Sequence, residues 1–138
     1  MSEHHAGAAP RNATLLKEVE YDRYLELMRD TRLIVLPLCE TDAPTGQTVL
    51  LEAIAMGKAI VVSKVASVID YVDDGKDVIL VKPRDSDDLV EAIRRFMIDD
   101  EKLRALGTNA RHATEESMRF ERMMDEVSLA ITRVIEGV

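Results

Sequence analysis

Two short apolar runs, Leu33-Ile34-Val35-Leu36-Pro37 and Ala59-Ile60-Val61-Val62-Ser63, bracket an apolar helical segment, Val49 to Met56. Runs of this length without alternation suit strands buried on both faces of a parallel sheet. The turn Thr45-Gly46-Gln47-Thr48 opens the helix, and Gly57 stands where a C-terminal cap belongs. Strand, glycine turn, buried helix and strand make a βαβ unit. That unit commits the chain to an α/β fold, a small parallel sheet with helices on both faces in a Rossmann-like three-layer αβα arrangement.

The same unit points to a site. Ligands of open α/β sheets bind outside the carboxyl ends of the strands. The first free N–H groups of the helix face the turn around Gly46, where a phosphate is welcome. Glu52 follows about a turn further in, one acid among apolar neighbours. An ionised carboxylate there is costly unless something pairs with it, and sugar hydroxyls would serve.

Gly46-Gln47-Thr48-Val49-Leu50-Leu51-Glu52-Ala53-Ile54-Ala55-Met56-Gly57-Lys58-Ala59-Ile60-Val61-Val62 resembles the donor-binding signature of GT-B glycosyltransferases. It is most similar to the large retaining family, glycosyl transferases group 1, which includes sucrose synthases and many bacterial polysaccharide and lipid glycosylators. The resemblance runs from about Asn12 to the C-terminus and covers the later part of the C-terminal, donor-binding domain. It implies that Glu52 holds the ribose hydroxyls of a nucleotide-sugar donor, and that Gly46, Gln47 and Thr48 meet the diphosphate. It further implies retention at the sugar, no bound metal and no cofactor beyond the donor substrate. Many members carry a second Glu eight positions before the helix Glu, in contact with the donor sugar. Here that position is Pro44, and Glu40 and Asp42 are the nearby acids in a different register. A branch of the family reading Gly-Gln before the helix resembles this chain better.

A complete enzyme of this kind has two such domains, and 138 residues are too few for both. The acceptor domain and the Arg and Lys that neutralise the diphosphate have no counterpart, so the isolated chain is expected to be inactive. Its expected partners are a donor, together with a missing N-terminal domain, a partner chain or a second copy. The competing reading is a non-catalytic interaction module that docks through its apolar C-terminal helix. A phospho-acceptor receiver ranks last, because Asp42 is a poor acceptor.

Around the βαβ unit, residues 1–11 read as a disordered leader and 12–138 as the partial domain. Asn12 to Val19 is expected as a short strand, and Tyr21 to Asp30 as a helix with Tyr21, Tyr24, Leu25 and Met28 on one face. If Asn12–Val19 is the third strand of a 3-2-1-4-5-6 sheet, it pairs directly with Leu33–Leu38, or another chain fills the gap, or an edge stays exposed. Further on come a short helix over Val65–Val72, a turn at Asp73-Asp74-Gly75 and a strand over Val78–Val81. A helix with Ser86 as N-cap buries Leu89, Ile93 and Phe96, and a second spans Asp100 to Ala113. The last, Met118 to Glu136, carries a stripe at Phe120, Met124, Val127, Ile131 and Val134, read mostly as core. Lys58 is read as complementing a helix end.

The net charge of −8 argues against nonspecific nucleic-acid binding. A single cysteine, Cys39, excludes an intrachain disulfide and suits a reducing cytoplasm, the expected location. No run is long enough to span a bilayer, although peripheral contact with a membrane is compatible with the reading. His4 and His5 lack a ligand set, so no metal is expected.

Overall fold

Strand β2 (Ala59–Ser63) is buried at every position and forms the middle of a three-stranded parallel sheet, between β1 (Leu33–Leu36) and β3 (Ile79–Val81). The structure is a computed structural model that describes residues 10–43, 45–117 and 120–137, for 117 and 120–123 the backbone alone. Leu33 pairs with Ala59, Leu36 with Val62, Val61 with Ile79 and Ser63 with Val81. The order β1-β2-β3 matches the last three strands of the Rossmann order, each joined to the next by a crossover through helix.

The pleat sorts the side chains by alternation. Ile34, Leu36, Ile60, Val62 and Leu80 face one cluster, which contains Met28 of α1 (Tyr21–Asp30), Leu50, Ala53 and Ile54 of α2 (Gln47–Ala55), and Val68 of α3 (Ala66–Ile69). Leu33, Ala59 and Ile79 face the other, with Phe96 of α4 (Ser86–Met97) and Leu103 and Leu106 of α5 (Asp100–Ser117). Helices therefore cover both faces, as the βαβ pattern requires.

Helix α2 ends as the glycine predicts. Gly57 takes φ 66°, its N–H donates to the carbonyl of Ile54 at 2.8 Å, and that of Lys58 to Ala53 at 3.0 Å. This pair of bonds is a Schellman cap. Lys58 does complement a helix end, but that of α1: its Nζ donates to the carbonyls of Arg29 and Thr31.

Three expectations are corrected. Asn12–Val19 is not a strand: its residues are exposed, Glu18 turns to φ 51°, and β1 pairs with β2 alone among the described strands. The apolar residues Leu15, Leu16 and Val19 do not alternate, and no described neighbour lies beyond β1 to accept them. Direct pairing of this segment with β1 does not occur, and among the described residues β1 is the half-buried edge of the sheet. The N-cap of α4 is Asp85 rather than Ser86, its carboxylate accepting the N–H of Asp88 at 3.0 Å. Finally, the stripe on α6 (Phe120–Glu136) is not core. Met124, Val127, Ile131 and Val134 are exposed, and no described α6 residue joins either cluster. Of the expected leader, residues 1–9 lie outside the described residues, as do Pro44, Met118 and the side chain of Phe120.

Candidate functional site

The carboxyl edge of the sheet is built from the loop after β1, the start of α2, and the segments following β2 and β3. The loop after β1 is pinned at several points. Ser63 at the end of β2 accepts the N–H of Leu38 at 3.0 Å. The Ser67 hydroxyl donates to the Thr45 carbonyl at 3.0 Å. Glu40 accepts the N–H of Ala66 at 3.2 Å, which satisfies one orphan donor of α3. Asp42 is exposed in the same loop. Glu40 and Asp42 thus stand near the edge, with Glu40 already employed in holding it.

Gly46 is the N-cap of α2 and lies in the left-handed region at φ 80°. Its carbonyl accepts the N–H of Leu50 at 2.9 Å, the first bond of the helix. No side chain caps this end and the first turn carries no acid, so the N-terminal dipole is uncompensated by Asp or Glu. Thr48 is exposed on that first turn, whereas the Gln47 amide donates to the Tyr71 hydroxyl at 3.3 Å. The side chain of Leu38 packs against Gly46 and separates it from a cavity of about 260 Å³ lined also by Cys39, Ser63, Lys82 and Arg84. Arg84 there is held at φ 61°, unusual for a residue with a side chain.

Glu52 projects from the middle of α2 towards α1. Both of its oxygens are engaged: Tyr21 Oη donates to Oε1 at 2.8 Å and Tyr24 Oη to Oε2 at 2.9 Å. The acid does need partners, as the apolar helix around it requires, and in the structure they are phenols rather than sugar hydroxyls. The two rings stack with centroids 6.0 Å apart. Burial, then the bond to Glu52, pushes the Tyr24 hydroxyl up to about 12. The bond to Glu52 is the main cause of the rise at Tyr21. Both phenols therefore stay protonated, and remain donors, across the neutral range.

Gly46, Gln47 and Thr48 thus gather on one turn at the carboxyl edge, and Glu52 lies further along the same helix. Tyr21 and Tyr24 belong with Glu52 although the sequence marked them only as one helix face. Lys82 and Arg84 are cations at the same edge that no motif singled out. Among the described residues, no group of three or more His, Cys, Asp or Glu is placed to hold a metal ion, and no helix is long and apolar enough to cross a membrane.

A small parallel sheet with helices on both faces is the fold of the C-terminal Rossmann-like domains of GT-B glycosyltransferases. The family profile of glycosyl transferases group 1 matches residues 5–113, and the chain belongs to that family. A curated relative, the N,N'-diacetylbacillosaminyl-diphospho-undecaprenol alpha-1,3-N-acetylgalactosaminyltransferase of Campylobacter jejuni, is 31% identical over 97 residues, which make 70% of this chain and 24% of that protein. The solved structure of HepE from Anabaena in complex with UDP superposes with a TM-score of 0.67 at 21% identity, over 78% of this chain and 29% of that one. Sucrose-phosphate synthase from Thermosynechococcus elongatus gives a TM-score of 0.67 at 23% identity, over 84% of this chain and 29% of that one. The chain spans less than a third of the length of each. The structural likenesses bear on the fold, and the family rests on the sequence profile.

Proposed function

We propose that this chain is the donor-binding half of a retaining glycosyltransferase and binds the nucleotide of an activated sugar at the carboxyl edge of its sheet. The observation that carries the reading is the bare N-terminus of α2 at that edge, with Gly46 in a left-handed turn and no capping side chain or acid to compete for a phosphate. Glu52 on the same helix supplies acceptors for the ribose hydroxyls, and Gly46, Gln47 and Thr48 face the diphosphate. HepE was crystallised with UDP, which makes UDP the first ligand to try. Sugar transfer also requires an acceptor-binding domain, so the chain alone binds the donor without turning it over. The likeness to an enzyme acting on a diphospho-undecaprenol acceptor fits peripheral work at a membrane surface, in the cytoplasm.

The test is calorimetric titration of UDP into the parent and into Glu52→Gln. The amide keeps the shape and removes the charge, and affinity is expected to fall about ten- to hundredfold. An unchanged dissociation constant would remove Glu52 from the site.

A second reading, a docking module, is favoured by one observation: the exposed apolar stripe of α6, including Val127 and Ile131. Such a stripe seeks cover from a second copy or another domain. Each large aliphatic side chain is worth about 1.5–3 kcal/mol when buried. Changing Val127 and Ile131 both to Glu should therefore weaken concentration-dependent association in sedimentation by more than about tenfold. A parent chain that stays monomeric at high concentration would remove a second copy as the cover for this stripe.

A further inference from the structure

Glu52 is held in a way that leaves a defined remainder. An ionised carboxylate has about four acceptor positions. Tyr21 takes one on Oε1 and Tyr24 one on Oε2, which leaves each oxygen with capacity to accept again. The two tyrosines lie about one turn apart on α1 and stack ring on ring, with planes inclined by 28°. They act as a single clamp that fixes the rotation of a carboxylate carried by a different helix. Two converging donors set both the position and the tilt of the group, so its unused lone pairs point in fixed directions. A vicinal diol donates to two neighbouring acceptors and fits such a remainder, whereas a lone hydroxyl fills only half of it.

We propose that Tyr21 and Tyr24 are positioning residues that preset Glu52 to receive a vicinal diol, and that they thereby make the site select a ribonucleotide over its 2′-deoxy counterpart. The inference rests on the assignment of Glu52 to the ribose above. It goes further, because it places the discrimination in a pair of side chains on α1, outside the signature. Preorganisation is the physical reason. A carboxylate already ordered by the fold loses little freedom when the diol arrives, whereas an unclamped one must be ordered by the ligand. The deoxy ligand leaves one oriented acceptor without its donor, a loss the ribonucleotide avoids.

The experiment titrates UDP, 2′-deoxy-UDP and 2′,3′-dideoxy-UDP into the full chain as the parent, Tyr21→Phe, Tyr24→Phe, the double Phe variant and Glu52→Gln. The parent is expected to prefer UDP to the deoxy form by about tenfold. In the double Phe variant that preference should shrink to about twofold or less, with the affinity for the dideoxy form unchanged. If the double variant folds poorly in a thermal melt, Tyr21→Phe alone carries the test, since Tyr21 is 59% exposed and lies outside the core clusters. A uniform loss across all three nucleotides marks a merely structural role and overturns the proposal. A preference that survives loss of both hydroxyls but disappears in Glu52→Gln overturns the tyrosine role and leaves the ribose assignment standing. A preference indifferent to Glu52→Gln, or no binding of UDP to the parent, overturns the ribose assignment and the inference with it.

Discussion

Gly107→Ala is expected to destabilise the chain by about 1–3 kcal/mol, although alanine is the better helix former. Gly107 lies within α5, where exchanging glycine for alanine ordinarily gains about 1 kcal/mol. Here a methyl group would point into the backbone of the α2 cap. It would overlap the carbonyl oxygen of Gly57 and approach the Gly57 and Lys58 carbonyl carbons to 2.7 and 2.9 Å. Those atoms belong to the Schellman cap and the amino end of β2, so no rotamer change relieves them. Helix α5 must lift away instead, loosening Leu103 and Leu106 from Ala59. Overlap with fixed backbone outweighs the propensity gain. A denaturant melt checks this, with Thr108→Ala, one exposed position further on, as the control. A Gly107→Ala chain as stable as the parent would mean that α5 sits further from the cap. Because Gly107 is at the amino end of β2, UDP affinity of the folded fraction should not change.

The contrast between Gly57 and Gly107 shows what the sequence displays and what it conceals. Gly57 follows an apolar helix and precedes a strand, and local punctuation is enough to read it as a cap. Gly107 interrupts nothing: its role arises from a neighbour 50 positions earlier, and only the packing of α5 on α2 reveals it. The same division runs through the rest of the fold. The βαβ unit and the bounds of α1 were legible because periodicity and turn residues are local signals. The neighbours of Glu52 were not. Tyr21 and Tyr24 read as part of the apolar face of α1, and nothing in their spacing says that their hydroxyls meet an acid from another helix. Asn12–Val19 misled because residue types alone suggested a strand, whereas a strand also needs a neighbour to pair with. Asp85 and Ser86 are both good caps, and one-residue ambiguity at a helix start is ordinary. The stripe of α6 is apolar by its residue types alone. Whether such a stripe is core depends on what covers it, which periodicity does not encode.

Gly46→Val is expected to remove nucleotide binding, and the structure separates two reasons why. The first is the backbone. At φ 80° a residue with a Cβ is strained by about 1–3 kcal/mol, and a β-branched one lies at the upper end of that range. The second is the space the side chain would take. A Cβ would come to 2.5 Å from Leu38 Cδ1 and 3.0 Å from Cδ2. These are the ends of a side chain that can swing towards the neighbouring cavity, so this contact is the more easily relieved. The leading cost in the free protein is therefore the turn itself, and the melting temperature should fall. Binding should fall further, by about a hundredfold or more, because a re-formed turn no longer aims the first N–H groups of α2 at a phosphate. Thr48→Ala, on the exposed first turn, should cost far less. Gly46→Ala combined with Leu38→Ala keeps the left-handed strain and removes the clash. That pair should still melt below the parent, and if its folded fraction does not bind UDP, the turn geometry is what the ligand needs. Should a folded Gly46→Val chain bind UDP as tightly as the parent, the phosphates lie elsewhere, and the cavity beside Lys82 and Arg84 becomes the place to look.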